Sequence, residues 1–353
     1  MMKRGASTKR GSSAGSTALV PRQRPTKAEV VASCARLDRI VERYRRASKA
    51  SNTRRMYDVG LKRWEAYCTD RHRREIVYPA RPEAIARYLS WLAEYERLAV
   101  STIEVYLAAL HAIYVHTGTS RKEDPTRSFI VIETMRGIRR EKGAPPHKKV
   151  PLTWDRLRSA LPSADACGLR PLRDRALLLL GFALGARRSE LAALRVTDVT
   201  FERQGMKVLI RRSKTDQTSK GRTVGIARLQ DEALCPVRAL RRWLDAAGIE
   251  RGPIFRGLWP DGGLRERALT PEHIARMIKR CAEAAGLEGD FAGHSLRRGF
   301  ATSAYAAGVP EIAIQRRTGH RSVQVLREYA DEARAYEDEP LTEIAASARK
   351  KRK

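Results

Sequence analysis

The 353-residue chain is short of acid. Asp and Glu number 40 against 70 Lys and Arg, a formal charge of +30 at pH 7. A surface this one-sided repels itself unless a polyanion neutralises it, which points to nucleic acid first and an anionic membrane surface second. Cysteine is scarce. Cys34, Cys68, Cys167, Cys235 and Cys281 are odd in number, scattered and without C-x-x-C spacing. That argues against a disulfide framework or a zinc ribbon and suits a reducing cytosol. Long apolar runs are missing too. The longest, Ala176–Ala186, has 11 residues between Arg175 and Arg187. A membrane span needs about 20, so this run reads as a buried helix. The basic N-terminal stretch lacks the apolar segment of a secretory signal. No G-x-x-x-x-G-K-[ST] phosphate loop occurs, so chemistry driven by nucleotide hydrolysis is not expected. No metal and no cofactor is expected either.

What is present is a globular composition, 42% apolar, in a chain long enough for two domains of ~100–200 residues each. Residues 1–26 are Gly, Ser, Thr, Lys and Arg with little apolar content, and read as a disordered basic tail. Within them Gly11-Ser12-Ser13-Ala14-Gly15 fits the G-x-S-x-G of hydrolases, but no strand precedes it and no helix follows, so the match is chance. Residues 27–142 are helical in pattern throughout. Val30 to Val41 mark a first helix, Ser51 and Thr53 open a second, and Ile85, Tyr88, Leu89 and Leu92 mark a third. Ser101 starts a fourth, which Gly118 stops, and a fifth follows Pro125. The second helix carries Arg54, Arg55, Lys62 and Arg63. A solvated face and a phosphate-facing stripe explain these about equally well, given the global charge. Residues 143–151, rich in Pro, Gly and base with Lys148 and Lys149, read as a linker. These two lysines join the four basic residues of the second helix as candidate DNA contacts.

The second domain is expected over 152–338. Thr153 is placed as the N-cap of a helix, the apolar run as a helix over 172–185, and a short helix from Ser189. Met206–Arg212 and Arg222–Ile226 alternate with β-branched residues and read as a hairpin. Helices follow near 230–247, 271–286 with Thr270 as cap and Pro271 at the first position, 295–307, 310–317 and 322–330. The fold class is therefore mainly α with a small antiparallel β-sheet, α+β. A last helix near Leu341–Ala348 and a basic end, within 339–353, close the chain.

Five fragments carry the chemistry: Gly185-Ala186-Arg187-Arg188-Ser189-Glu190-Leu191, Ser213-Lys214-Thr215, Gly293-His294-Ser295-Leu296-Arg297-Arg298-Gly299, Thr318-Gly319-His320 and Arg327-Glu328-Tyr329. Composition alone predicts about one H-x-x-R, and two occur. His273-x-x-Arg276 sits on an ordinary capped helix and reads as coincidence. His294-x-x-Arg297 gains its weight from company: Gly-His follows 26 residues after His294, and Tyr329 nine after His320. In this order, R…K…H-x-x-R…G-H…Y, the fragments resemble the tyrosine recombinases of the phage integrase family. The resemblance spans about 27–338 in a simple two-domain, Cre-like layout. It implies an N-terminal helical bundle, a SAM-like core-binding domain, followed by the catalytic domain.

Cutting a phosphodiester needs a nucleophile, charge stabilisation at phosphorus and a proton for the leaving oxygen. A phenol has pKa ~10 and needs a base or nearby cations to attack at neutral pH. Guanidiniums offer planar N–H forks to the non-bridging oxygens. The resemblance implies Tyr329 as nucleophile, Arg187 and Arg297 on the phosphate, and His294 positioning or taking the phenolic proton. It further implies His320 as a donor to a non-bridging oxygen and Lys214 as the acid for the 5′-oxygen. Glu190, at i+3 from Arg187, supports the basic groups. Taken singly, each residue has a plain structural explanation: a core tyrosine, a helix-capping arginine, a turn lysine. The ordered set favours the functional one. It implies a site-specific recombinase, independent of metal and ATP, that conserves the bond as a 3′-phosphotyrosine. Its partners would be double-stranded DNA sites, with a homotetramer on DNA and a monomer or weak oligomer without it. Its place would be the cytoplasm, on the nucleoid, and not a membrane. A silent DNA-binding or architectural protein and a type IB topoisomerase are the competing readings.

Overall fold

Apolar side chains at helical spacing organise the first half of the chain. The protein is seen as a computed structural model, which describes residues 39–45, 48–70, 75, 77–145, 148–211, 221–320, 322, 324, 326 and 327. Two compact units result, Met1–Pro146 and His147–Lys353. In the first, a helical stretch over 39–45 (α1) is followed by α2 (Ser51–Thr69), α3 (Pro82–Glu94), α4 (Val100–His116) and α5 (Phe129–Lys142). Pro82 starts α3, where its missing N–H costs nothing. Ile85, Tyr88, Leu89 and Leu92 then form one fully buried stripe. They pack with Trp64 and Tyr67 of α2, Ile103 and Tyr106 of α4, and Val131 and Met135 of α5. Trp64 lies edge-on to Tyr88 at 5.1 Å, and its indole N–H donates to the Val77 carbonyl at 3.0 Å, so the buried indole donor is satisfied. The fifth helix begins later than its proline. Pro125 opens a 3₁₀ turn, Pro125–Arg127, closed by the Asp124 carboxylate accepting from the Thr126 N–H at 2.9 Å.

The second unit is built round the apolar run. α6 (Trp154–Ala160), α7 (Leu169–Leu184) and α8 (Arg188–Ala193) lead into a three-stranded antiparallel sheet, β1 (Val199–Phe201), β2 (Gly205–Ile210) and β3 (Arg222–Ala227). Then come α9 (Pro236–Ala246), a two-stranded sheet of β4 (Arg256–Leu258) and β5 (Leu264–Ala268), α10 (Pro271–Ala284), α11 (Ser295–Ala306) and α12 (Glu311–Thr318). In α7, Ala176 to Leu180 are fully buried, and the helix packs on α9 and α11. Each buried leucine contributes about 1.5–3 kcal/mol. The hairpin alternates as its residues require: Met206, Val208 and Ile210 face inward, paired with Ile226, Val224 and Arg222.

The architecture is mainly α with small antiparallel sheets, and the local differences have causes. A second sheet, β4–β5, was not expected. Its Arg-rich β5 is exposed after Leu264 and carries no alternating apolar face. α9 starts at Pro236 rather than near 230, because the Asp231 carboxylate turns the chain by accepting from the Ala233 N–H at 2.9 Å. Thr153 is the N-cap of α6, but its side chain makes no capping bond. The first N–H of that helix, on Trp154, donates instead to Ser303 Oγ on α11 at 2.9 Å. Thr270 caps α10 as expected, accepting from the His273 N–H at 3.3 Å. Of the helix expected over 322–330, residues 324, 326 and 327 are helical. Leu326 is fully buried against Ala301, Ala304, Tyr305 and Ile314. Cys34, most of the first expected helix and the expected helix near 341–348 lie outside the described residues.

The segment entering α6 lies directly on α11. Leu152 N–H donates to the Ser295 carbonyl at 2.9 Å, and a Cβ on Gly299 would sit 1.8 Å from the Leu152 carbonyl oxygen. Gly299→Ala must therefore push backbone apart. Urea denaturation should show a loss of about 3 kcal/mol or more. Gly137→Ala, where nothing lies within 4 Å of the added carbon, should gain about 0.5–1 kcal/mol. Equal effects at the two sites would contradict the packing.

Candidate active site

Two helices end at glycines, and those ends make the site. Gly185 stops α7 in the left-handed region, at φ 54°, and Gly319 stops α12 in the same way, at φ 67°. A side chain at either place would be strained, and a Cβ on Gly185 would also meet Thr318 at 2.8 Å. The turns bring two terminal carbonyls to one guanidinium. Arg297 Nη1 donates to Gly185 O at 2.9 Å and to Thr318 O at 2.5 Å. Arg297 is 2% exposed. The negative ends of two helix dipoles face its buried charge. Arg317 likewise reaches the end of α7, donating to Ala183 O at 2.9 Å.

Arg187 is the N-cap residue of α8. Its backbone N–H donates to Glu190 Oε2 at 3.1 Å, and its guanidinium Nη1 donates to Oε1 at 2.8 Å. One carboxylate thus fixes both the backbone and the side chain of Arg187. Glu190 is 3% exposed. Burial alone would raise its carboxyl pKa, but the charge and hydrogen bonds of Arg222 and the bonds from Arg187 outweigh that and hold it below the ordinary value. Arg222 Nη2 lies 3.1 Å from Glu190 Oε2.

His320 follows Gly319 directly. Thr318 Oγ1 donates to the Ile314 carbonyl at 2.8 Å, so its lone pair accepts from His320 Nδ1 at 2.7 Å. His320 Nε2 then carries the free lone pair and accepts from Arg297 Nε at 3.2 Å. This network fits a neutral ring. Burial first, then the charges of Arg297, Arg187 and Arg222, push the imidazole pKa down to about 3. The expected donation from His320 to a phosphate oxygen therefore needs a proton that Nε2 does not hold in this arrangement. His294 is exposed just before α11, three residues ahead of Arg297. Gly293 has no room for a Cβ, since Arg188 Cδ would lie 2.5 Å away.

The structure thus brings together Arg187, Glu190, Arg297 and His320. Lys214 and Tyr329 lie outside the described residues. Arg222 was missed. No motif singles it out, and among 54 arginines only its strand register, opposite Ile210, brings it to the site. In the first unit Arg54 and Arg55 are exposed on α2 and line a groove of about 650 Å³ with Lys49, Tyr57 and His116. Lys62 is exposed on the same helix. Arg63 instead pairs with Glu96 at 2.6 Å. In the second unit Lys149 pairs with Asp290, and Lys148 is exposed. Among the described residues no group of three or more His, Cys, Asp or Glu could hold a metal ion, and no helix is long and apolar enough to cross a membrane.

Comparison with known proteins gives the family. Residues 152–335 match the model of the phage integrase family. An integrase/recombinase xerD homolog of Selenomonas ruminantium is 35% identical over 298 residues, covering 84% of this chain and 86% of that protein. The Cre recombinase of Escherichia phage P1 is 27% identical over 288 residues, covering 75% and 80%. Among solved structures, a lambda integrase dimer bound to a COC′ core site superposes with a TM-score of 0.56 at 18% identity, covering 85% of this chain and 95% of that one. That likeness carries the fold alone. The chain belongs to the phage integrase family, the tyrosine recombinases.

The neutral ring gives a pH prediction. The folded pKa of His320 lies far below the ordinary 6.5, so the unfolded chain takes up the proton first. Stability is lost as pH falls from about 6.5 towards 3. Nitrogen-15 spectra of histidine-labelled protein, assigned with His320→Asn, should show His320 unprotonated at pH 5. A His320 that titrates near 6.5 would refute the network.

Proposed function

We propose that this site-specific tyrosine recombinase uses Tyr329 as its nucleophile and Arg187 and Arg297 as its phosphate clamp. The observation that carries the reading is Arg297, buried on two helix-end carbonyls beside a neutral imidazole, with Arg187 tied to Glu190 in the same cluster. Such fixed donors stabilise charge as it grows in the transition state, typically by ~2.7–4 kcal/mol per donor. Leu326, three residues before Tyr329, is packed against α11 and α12, so the chain is anchored close to the nucleophile's place in sequence.

In the step proposed, the Tyr329 oxygen attacks phosphorus and the P–O5′ bond breaks. His294 takes or orients the phenolic proton, and Lys214 gives one to the departing 5′-oxygen. The product is a 3′-phosphotyrosine and a free 5′-hydroxyl. A phosphate bound at the clamp offsets the arginine charges that, after burial, help keep His320 neutral, which favours protonation of Nε2 and donation to a non-bridging oxygen. Attack by a second 5′-hydroxyl rejoins the strand. Exposed Arg54, Arg55 and Lys62 on α2 serve the DNA backbone, as does Lys148. Arg63 and Lys149 hold carboxylate partners and contribute less. Four copies on two DNA sites complete the reaction, an assembly supported by the family likeness, with the protein working on DNA in the cytoplasm.

Two experiments on a nicked suicide substrate test this. Tyr329→Phe should bind its DNA with unchanged affinity and form no covalent complex; covalent trapping of that variant would sink the nucleophile. Lys214→Ala should cleave ordinary DNA at least ~100-fold more slowly. It should recover when sulfur replaces the bridging 5′-oxygen, because a thiolate leaves without a proton. No recovery would mean that another group is the acid.

A further inference from the structure

Glu190 serves two guanidiniums from different elements. Arg187 binds Oε1 from the start of α8, and Arg222 binds Oε2 from the first residue of β3. Arg222 is itself largely enclosed, with its side chain 18% exposed. Its Nε is buried and has no partner among the described residues. Its Nη1 fits against Gly319, where an added Cβ would lie 3.0 Å away. The charged and titratable groups around the carboxylate are Arg187, Arg222 and His320, with Arg297 behind the imidazole.

Those contacts pose a problem that one arginine cannot solve. A phosphate draws Arg187 towards itself. A carboxylate that is 3% exposed and left with half its counter-charge either pulls Arg187 back or takes up a proton. We propose that Arg222 is a positioning residue for the cleavage reaction: it holds Glu190 ionised and in place, so that Arg187 can turn N–H groups to the scissile phosphate while its backbone stays fixed. Arg222 thus acts through Glu190 and does not touch the reacting atoms. The inference rests on the recombinase reading above. The ionisation it invokes agrees with a carboxyl held below its ordinary pKa, where burial works upward and Arg222 is the largest opposing influence.

The test is single-turnover cleavage of the nicked suicide substrate by the full chain between pH 5 and 9, with DNA affinity measured alongside. Arg222→Gln should cleave about 10- to 100-fold more slowly near neutrality. It should also acquire an acid limb that the wild type lacks in this range, since Glu190 now protonates more easily. DNA affinity should stay within about 3-fold, because the lost group does not face the phosphate. Arg222→Lys, which keeps the charge, should show no acid limb. Adding Glu190→Gln to Arg222→Gln should abolish the limb, because the group that titrates is gone.

A flat pH profile for Arg222→Gln, or a limb that survives the double substitution, would overturn the proposal. Should Arg222→Gln lose its fold by circular dichroism, Glu190→Gln alone is compared with Glu190→Gln plus Arg222→Met. The proposal requires rates within about 3-fold, since without the carboxylate Arg222 keeps only its weaker charge effect on His320, and a larger drop contradicts it. Wild type that forms no covalent complex would fail the recombinase reading itself. Wild type that cleaves while Arg222→Gln matches it would fail this inference alone.

Discussion

A guanidinium 2% exposed has to be neutralised from within the protein. At Arg297 two helix-end carbonyls do much of that work, and the rest of the catalytic unit is arranged round the fact. α7 must end where it does, so that Gly185 can turn its carbonyl inward. α12 must end at Thr318 for the same reason. The apolar length of α7 keeps the first of those ends rigid, because moving it would disturb a column of leucines that water never reaches. Dipoles of this kind cannot follow the arginine as a carboxylate side chain can. They fix where the charge sits.

The surrounding electrostatics have the same logic. Three guanidiniums, Arg187, Arg222 and Arg297, act on His320, against the one carboxylate of Glu190. Burial first, and then this positive excess, keep the imidazole from holding its proton. An anion entering the cluster would offset the charge part of that balance. In the reaction proposed, that positive field is present before the substrate arrives, so little reorganisation is needed when charge develops. The global excess of base has a different task. It acts over a Debye length, attracts a polyanion of any sequence, and fades with salt. The buried cluster is screened far less.

Much of this was legible in the sequence because it depends on short-range rules. The run Ala176–Ala186 could only be a buried helix. The i, i+3 spacings of Arg187 with Glu190 and of His294 with Arg297 each put two groups at one helix start. What escaped depended on tertiary geometry. The capping of α6 by Ser303 spans 149 residues, and no local pattern announces it. Thr153 had the right residue type in the right place, yet the bond went elsewhere. Arg222 looked like any strand arginine until the register of β3 against β2 set it beside Glu190. Sequence order singled out Arg187 and Glu190, which the fold pairs, but not Arg222, which shares their carboxylate.

A constraint from the reaction explains why rigidity matters here. Exchanging a phosphodiester for a phosphotyrosine makes and breaks bonds of the same kind, so cleavage and rejoining are close in energy and pass through related transition states. Any group that stabilises the pentavalent anion speeds both directions equally and cannot set the outcome. The clamp proposed on the helix ends is well suited to that neutral task, since it would grip the anion alike whether the attacking oxygen is phenolic or the 5′-hydroxyl. Direction must then come from what the clamp does not control: which 5′-hydroxyl reaches the phosphotyrosine first, and hence how protomers and DNA are assembled. The chemistry of one chain and the commitment to recombination thus lie on different levels, joined through the scissile phosphate that the proposed clamp of Arg187 and Arg297 would hold.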